Sequence, residues 1–183
     1  MKSEKGFINL RLFKKSDVDL KVKWINDEEI NKFLHYDLPL CPDRTLNWFN
    51  KIMSDSARED YVYEAKTDKG NIPIGLIGLL GIDNKNRKAE FYIVNGEKKY
   101  WGKGLASQAT QLFLEKVFLK YNLNKVYLYT EVDNVPAQKL FEKVGFQKEG
   151  LLKEDLIYMG QKIDRYYYAI YREDFFNEQT SFD

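Results

Sequence analysis

Hydrophobic and polar residues alternate along much of this chain, and the pattern predicts an ordered series of strands and helices. Near the start, Ile8, Leu10 and Leu12 alternate with polar residues, which is the period of a half-buried strand. Apolar residues at helical spacing follow Ser16, so a first helix is predicted there with Ser16 as its N-cap. A second helix is predicted over about residues 45–53, where the apolar side chains share one face.

The middle of the chain is predicted to form three antiparallel strands joined by short polar turns. These strands cover residues 61–67, 72–82 and 89–94, and they are followed by a helix over 106–120, a strand over 126–132, a short helix from Pro136 to Gly145, and strands over 146–158 and 163–171. The strands on either side of the 106–120 helix are predicted to be parallel, because a helical crossover connects them. The order predicts one α+β domain over residues 1–183, with a core from about residue 7 to residue 172.

Composition then narrows the class of protein. Hydrophobic residues are 44% and charged residues 31% of the 183 residues, which is typical of a globular protein. The 29 basic residues nearly cancel the 28 acidic ones, so nucleic acid is not an expected partner. The apolar window 72–82 is too short to cross a bilayer, and Cys41 is a lone cysteine. We therefore expect a cytoplasmic protein without a membrane span or a metal centre.

The segment Lys99-Tyr100-Trp101-Gly102-Lys103-Gly104 lies between a predicted strand and a predicted helix. A glycine-rich turn that enters a helix exposes backbone N–H groups and the positive end of the helix dipole, and the two together bind phosphate. Gly-x-Gly also begins the dinucleotide-binding fingerprint, but Ser107 occupies its third glycine position and only one strand–helix–strand unit follows. A nucleotide-dependent oxidoreductase is therefore the weaker interpretation.

Several motifs in order resemble the GNAT superfamily of acetyl-CoA-dependent N-acetyltransferases. They are the glycine loop with Leu105-Ala106, and the run Asn134-x-x-Ala137-x-x-Leu140-Phe141-Glu142-Lys143-x-Gly145-Phe146. Within the family, Glu149-Gly150 followed by Gly160 and Asp164 resembles the branch of ribosomal-protein N-terminal and spermidine acetyltransferases. The resemblance covers about residues 8–171. It implies a mixed, mostly antiparallel sheet with one parallel pair at the cofactor gap, flanked by helices.

The resemblance also implies a site for the cosubstrate acetyl-CoA. Amides of the loop would bind its pyrophosphate, where glycine allows close approach of the backbone. Strand amides would bind the pantetheine arm. Asn134 would touch the cofactor or the amine, although an N-cap role for Asn134 is the alternative. The implied cofactor contacts are Ile93, Val94, Lys99, Gly102, Lys103, Gly104, Ala106 and Asn134.

The implied reaction is direct acetyl transfer to a primary amine, which needs a base because only the neutral amine attacks. Glu90 is the first candidate base and Glu131 the second, and a solvated or ion-paired carboxylate is the alternative for each. Many relatives have a tyrosine general acid where this chain has Phe141, for which we predict a core role. Ser107 is a candidate replacement donor. The missing tyrosine also leaves open a sensor or degenerate module that binds coenzyme A without catalysis.

The acceptor pocket is expected near His35 and Tyr36, because relatives build it from the loop after the first helices, and near Tyr92, which shares a strand face with Glu90. A Cys41–His35 nucleophile pair is the less favoured alternative, since neither residue has a visible orienting partner in the sequence. The acceptor class stays open among a protein amino terminus, an amino sugar, an aminoglycoside and a polyamine. The oligomeric state is open as well, although relatives are often dimers.

Overall fold

The computed structural model describes residues 7–180, which form seven strands, six α-helices and two short 3-10 helices, Lys15–Asp17 and Lys98–Tyr100. The strands are β1 (Ile8–Leu12), β2 (Glu59–Thr67), β3 (Gly70–Asp83), β4 (Lys88–Asn95), β5 (Lys125–Glu131), β6 (Gln147–Tyr158) and β7 (Gln161–Tyr171). The helices are α1 (Val18–Ile25), α2 (Glu28–Asn31), α3 (Pro42–Ile52), α4 (Leu105–Tyr121), α5 (Val135–Val144) and α6 (Arg172–Thr180). Within these residues, no helix combines the length and the apolar character that a membrane span requires.

One mixed sheet organises the molecule, with strand order β1-β2-β3-β4-β5-β7-β6. Every neighbouring pair is antiparallel except β4 and β5, which are parallel. The parallel pair results from α4, which carries the chain back to the starting end of the sheet between the two strands. The predicted α+β fold with a single parallel pair is therefore confirmed.

The parallel strands β4 and β5 separate soon after they begin. They pair only over Lys88–Glu90 and Lys125–Tyr127. Beyond that point β4 stays paired with β3 as far as Asn95, and β5 stays paired with β7 as far as Glu131. Each strand is thus held by its outer neighbour while the two facing edges are left without a sheet partner. The sheet opens into a V at this position.

Helices cover the sheet and enclose two cores. Phe113 of α4 lies in the core on one face, whereas Trp24 of α1 and Phe49 of α3 lie in the core on the other. Phe141 of α5 belongs to the first core, because it is 6% exposed and its ring centroid lies 5.8 Å from that of Phe146. The predicted core role of Phe141 is confirmed.

The first helical segment differs from the prediction at its start. The chain becomes helical at Lys15, and the carboxylate of Asp17 accepts the N–H of Lys14 at 2.8 Å. Asp17 is buried and also pairs with Arg11 of β1. The prediction that Ser16 caps this helix is therefore wrong, because an ion pair across elements fixes the start instead. The short helix α2 and the mostly polar helix α6 were not predicted, since neither has an apolar repeat of useful length.

Candidate active site

The V between β4 and β5 opens into a cleft of about 690 Å³. Its volume lies within the range of roughly 300–1,000 Å³ that is usual for small-molecule sites. Strands β4 and β5, the beginnings of α4 and α5, and the segment around α2 all contribute to its walls. Most of the residues predicted for the site line this one cleft: His35, Glu90, Tyr92, Ile93, Val94, Gly102, Gly104, Ala106, Ser107, Glu131 and Asn134.

Three predicted side chains lie outside the cleft. Lys99 and Lys103 are exposed, and their ammonium groups lie 5.1 Å and 5.3 Å from the ring centroid of Tyr100. Tyr36 lines a second, smaller cavity instead. The two lysines thus add positive charge near the loop rather than forming the wall of the cleft.

Six consecutive main-chain N–H groups, those of residues 102–107, have no acceptor within the part of the chain that the structure describes. Gly102 and Gly104 have φ angles of +72° and +73°, a left-handed conformation that glycine adopts without strain. A Cβ on either glycine would meet no atom within 4 Å, so the space beside the loop is open. The 17-residue helix α4 begins at Leu105. Free amides, open space and the helix N-terminus together make an anion site.

Thr130 places a second unsatisfied group in the cleft wall. The residue lies on β5 and is 6% exposed, and its Oγ1 is buried without a hydrogen-bond partner among the described residues. A buried hydroxyl without a partner costs about 1–3 kcal/mol. A polar group of a ligand in the gap would remove that cost. Sequence reasoning missed Thr130, because in the sequence it is an ordinary residue of an alternating strand.

The two glutamates of the cleft have different surroundings. Glu90 forms no hydrogen bond or ion pair with the described residues. Burial raises the pKa of Glu90, and the charge of Arg165 offsets part of that effect. Glu131 is paired, because its Oε1 lies 2.6 Å from Nε2 of His35. Glu90 is therefore free to accept a proton, whereas Glu131 is already committed to the imidazole.

His35 is held from several sides. Its φ of +54° is unusual for a residue other than glycine. Its ring lies edge-on to Tyr158, with centroids 4.9 Å apart, and the hydroxyl of Tyr158 donates to the Tyr36 carbonyl at 3.1 Å. The loop after α2 is thus tied to β5 and β6. The sequence indicated His35 as a site residue, but its pairing with Glu131 was not foreseen because the two lie far apart along the chain.

Asn134 and Ser107 lie at the starts of α5 and α4. Oδ1 of Asn134 accepts the N–H of Ala137 at 3.3 Å, so Asn134 is the N-cap of α5. The cap uses only this oxygen, and Asn134 also lines the cleft. Ser107 lies in the first turn of α4, with its residue half-buried at the cleft wall. Both side chains can therefore reach a ligand without disturbing their helices.

Known proteins share this architecture. The family model of the GNAT acetyltransferase domain matches residues 8–147. The spermidine N(1)-acetyltransferase of Escherichia coli is 31% identical over 133 residues, which are 73% of this chain and 69% of that protein. The putative ribosomal N-acetyltransferase YdaF of Bacillus subtilis is 30% identical over 107 residues, 57% of each chain.

A solved structure gives the same result in three dimensions. The spermidine N-acetyltransferase of Vibrio cholerae, in complex with CoA and spermine, matches with a TM-score of 0.85 and 29% identity. The match covers 93% of this chain and 99% of that one. The resemblance to the GNAT superfamily, and to its spermidine and ribosomal branch, is thereby confirmed. The chain belongs to the GNAT acetyltransferases and is an enzyme that transfers acetyl from acetyl-CoA to an amine.

Proposed function

We propose that the enzyme holds the diphosphate of acetyl-CoA at the N–H groups of residues 102–107 and acetylates a small cationic amine. The row of free amides around Gly102 and Gly104 carries this proposal. Such amides and a helix N-terminus favour phosphate oxygens over neutral groups. The Vibrio cholerae protein that matches this fold was solved with CoA, which supports the same ligand here.

The rest of the cosubstrate has a matching path. The edge of β4 that faces the V has unpaired main-chain groups near Ile93 and Val94, and we assign the pantetheine arm to this edge. Across the gap, the orphan hydroxyl of Thr130 offers one more hydrogen bond. Lys99 and Lys103 raise the positive potential beside the loop.

Glu90 is the residue that we assign as general base. The nitrogen of the neutral amine attacks the thioester carbonyl, the carbon–sulfur bond breaks, and coenzyme A leaves as its thiolate. The amine loses one proton in this exchange. Glu90 accepts it directly or through one water, because its carboxylate has no partner among the described residues and burial moves its pKa upward, toward the working pH.

The leaving group needs less help than the amine. Phe141 cannot donate a proton, and its ring is packed in the core. A thiol with a pKa of about 8.5 is a tolerable leaving group at neutral pH. Ser107 is the hydroxyl that we assign to hydrogen-bond the departing sulfur, since it lines the cleft at the start of α4.

The cleft has more carboxylates than cations in its lining. It is lined by Glu29, Glu90, Glu97 and Glu131 and by Lys139, Lys143 and Arg165. Glu97 is ion-paired with Lys23, and Glu29 with Lys98. Glu90 and the His35–Glu131 pair remain to receive a cationic amine. This favours a small polyamine-like acceptor, and the similar Vibrio cholerae structure contains spermine.

A panel of amines tests the assignment. Spermidine, an aminoglycoside, an amino sugar and a peptide with a free amino terminus are each incubated with acetyl-CoA, and free coenzyme A is measured. We expect the highest kcat/KM with spermidine. A preference for the peptide would contradict the small-amine assignment. Binding of coenzyme A without thiol release from any amine would instead favour a non-catalytic module.

A further inference from the structure

A second cavity of about 360 Å³ lies between α1, α3 and the sheet. Tyr92 lines both this cavity and the acetyl-transfer cleft, so the two spaces share one wall. Three cationic side chains line the second cavity, Lys21, Arg44 and Arg58, and no acidic side chain does so among the described residues. The remaining lining is aromatic or apolar apart from one threonine, and Trp48 is its largest side chain.

Lys21 is an unusual occupant of a protein interior. The residue is 4% exposed, yet its ammonium group has no hydrogen bond or ion pair with the described residues. Its Nζ lies 3.7 Å from the ring centroid of Trp48 and 5.5 Å from that of Tyr36. The pKa of Lys21 is lowered to about 8, chiefly by burial; the charge of Asp60 opposes the shift, and the charge of Arg58 adds to it. A buried cation of this kind is costly unless an anion joins it.

The carboxylate of Asp60, whose charge acts on Lys21, already has other partners. Asp60 accepts two hydrogen bonds from Arg58, at 2.6 Å and 2.8 Å, and a third from the hydroxyl of Tyr92. Arg58 keeps one terminal nitrogen outside this pair, and its Cζ lies 5.0 Å from the ring centroid of Trp48. Arg44 is exposed at the rim of the cavity. The cavity therefore has positive charge in excess of what the chain itself neutralises.

We propose that the second cavity binds a small organic carboxylate, with its charge among Lys21, Arg44 and Arg58 and its apolar body against Trp48. Carboxylate oxygens accept hydrogen bonds from both ammonium and guanidinium groups. Leu40, Leu80 and Trp48 offer apolar contacts for the rest of the molecule. The volume suits a ligand of about the size of an aromatic acid.

The carboxylate could come from two sources. It is either a separate small acid or the carboxylate end of an amine acceptor that reaches past Tyr92 from the cleft. Both have the same chemistry at Lys21. Steady-state kinetics distinguish the two sources. If the cavity is a subsite of the acceptor, a free acid competes with the amine. If the cavity binds a separate ligand, the acid changes kcat or acts without competition.

Isothermal titration of the free enzyme with 3-phenylpropionate tests the proposal, with the neutral 3-phenylpropanamide as matched ligand. We expect saturable binding of the acid and at least about tenfold weaker binding of the amide. Lys21→Met, which keeps the length and apolar stem, should weaken the acid about tenfold or more. Arg44→Gln should weaken it severalfold, and Lys51→Met, on the exposed end of α3, should leave it unchanged.

The pH dependence gives an independent readout. Affinity for the acid should fall as the pH rises from 7 to 9.5, because Lys21, with its pKa of about 8, loses the charge that the anion needs. Burial raises the pKa of Tyr36 and of Tyr92, so these hydroxyls stay protonated over that range. The arginines keep their charge. In Lys21→Met the decline should disappear.

Equal binding of the acid and the amide, or an acid affinity that Lys21→Met leaves unchanged, would overturn the proposal. Absence of any saturable binding to the wild-type enzyme would do the same. These titrations contain neither acetyl-CoA nor an amine. Their failure would therefore leave the proposed acetyl transfer untouched, and failure of the amine panel would leave the anion cavity untouched.

Discussion

The two ends of the active-site cleft are built from different parts of the chain. The end that we assign to the diphosphate consists of main-chain N–H groups from one continuous segment, residues 102–107. The end that we assign to the amine acceptor consists of side chains from separate elements, among them Glu90 of β4, Glu131 of β5 and His35 of the loop after α2. One end depends on backbone conformation and the other on side-chain identity.

This difference indicates which end of the cleft tolerates amino-acid substitution. Side-chain substitutions at the acceptor end alter charge and shape without moving the backbone. The loop has no such freedom, because its hydrogen-bond donors are present in every residue but point correctly only with left-handed residues at Gly102 and Gly104. We therefore expect substitutions at the two ends to affect different measurements, the amine kinetics on one side and the coenzyme A affinity on the other.

The largest effect is expected from Glu90→Gln. Loss of the general base should lower kcat about 100-fold or more, while the affinity for coenzyme A stays the same. In the wild type, kcat/KM should fall as the pH is lowered through the raised pKa of Glu90, since the protonated form cannot accept a proton. Glu115→Gln, at an exposed site on α4, is the control that should retain full activity.

Glu90→Gln should also increase stability. A raised pKa means that the folded state binds the proton more tightly than the unfolded chain, so at neutral pH the charged carboxylate weakens folding. Its neutral amide replacement removes that penalty, and the melting temperature should rise. A lower melting temperature together with lost activity would indicate a structural role for Glu90 instead.

The next largest effect is expected at the glycine loop, and it distinguishes a ligand-binding glycine from a glycine that only forms a turn. Gly104→Ala should weaken coenzyme A about 30-fold, or about 2 kcal/mol, because its Cβ enters the space assigned to the diphosphate. Gly160 is a matched control, since it has φ of +77° and equally open surroundings but lies in the turn between β6 and β7. Both variants should lose about 1 kcal/mol of folding stability through the left-handed strain. Equal coenzyme A affinities would refute the loop assignment.

The end assigned to the acceptor is tested by breaking the contact between His35 and Glu131. His35→Gln and Glu131→Gln should each raise KM for the amine about tenfold, because the pair at 2.6 Å positions the loop after α2. The double variant should be little worse than either single one, which is the signature of a shared interaction. Additive losses, or a matching loss of coenzyme A affinity, would contradict the separation of the two ends.

The smallest effect is expected from Phe141→Tyr. The ring lies in the core and also lines the cleft, and it belongs to α5 rather than to the loop that we assign to the diphosphate. Coenzyme A affinity, measured by titration calorimetry, should change less than about twofold, or about 0.4 kcal/mol. A large loss of affinity would show that the two ends are coupled through α5.

The sequence was most informative where the relevant physics is local. Alternation and helical spacing located β1, α4 and the final hairpin of β6 and β7, because these patterns describe which face of one element is buried. The glycine loop was located for the same reason, because two glycines just before a helix indicate the local backbone conformation without knowledge of the rest of the fold. Local reasoning failed at Ser16. The helix start is fixed instead by Asp17, which pairs with Arg11 of another element.

The sequence by itself determined the order of the seven strands and of helices α1, α3, α4 and α5, the position of the glycine loop and the family, since each of these depends on neighbouring residues. Only the tertiary structure decided that His35 pairs with Glu131, that Glu90 is left free, and that Lys21 is enclosed beside Trp48. These arrangements join residues that are distant along the chain. Burial and charge depend on what the fold brings together, and no local pattern of apolar positions carries that information.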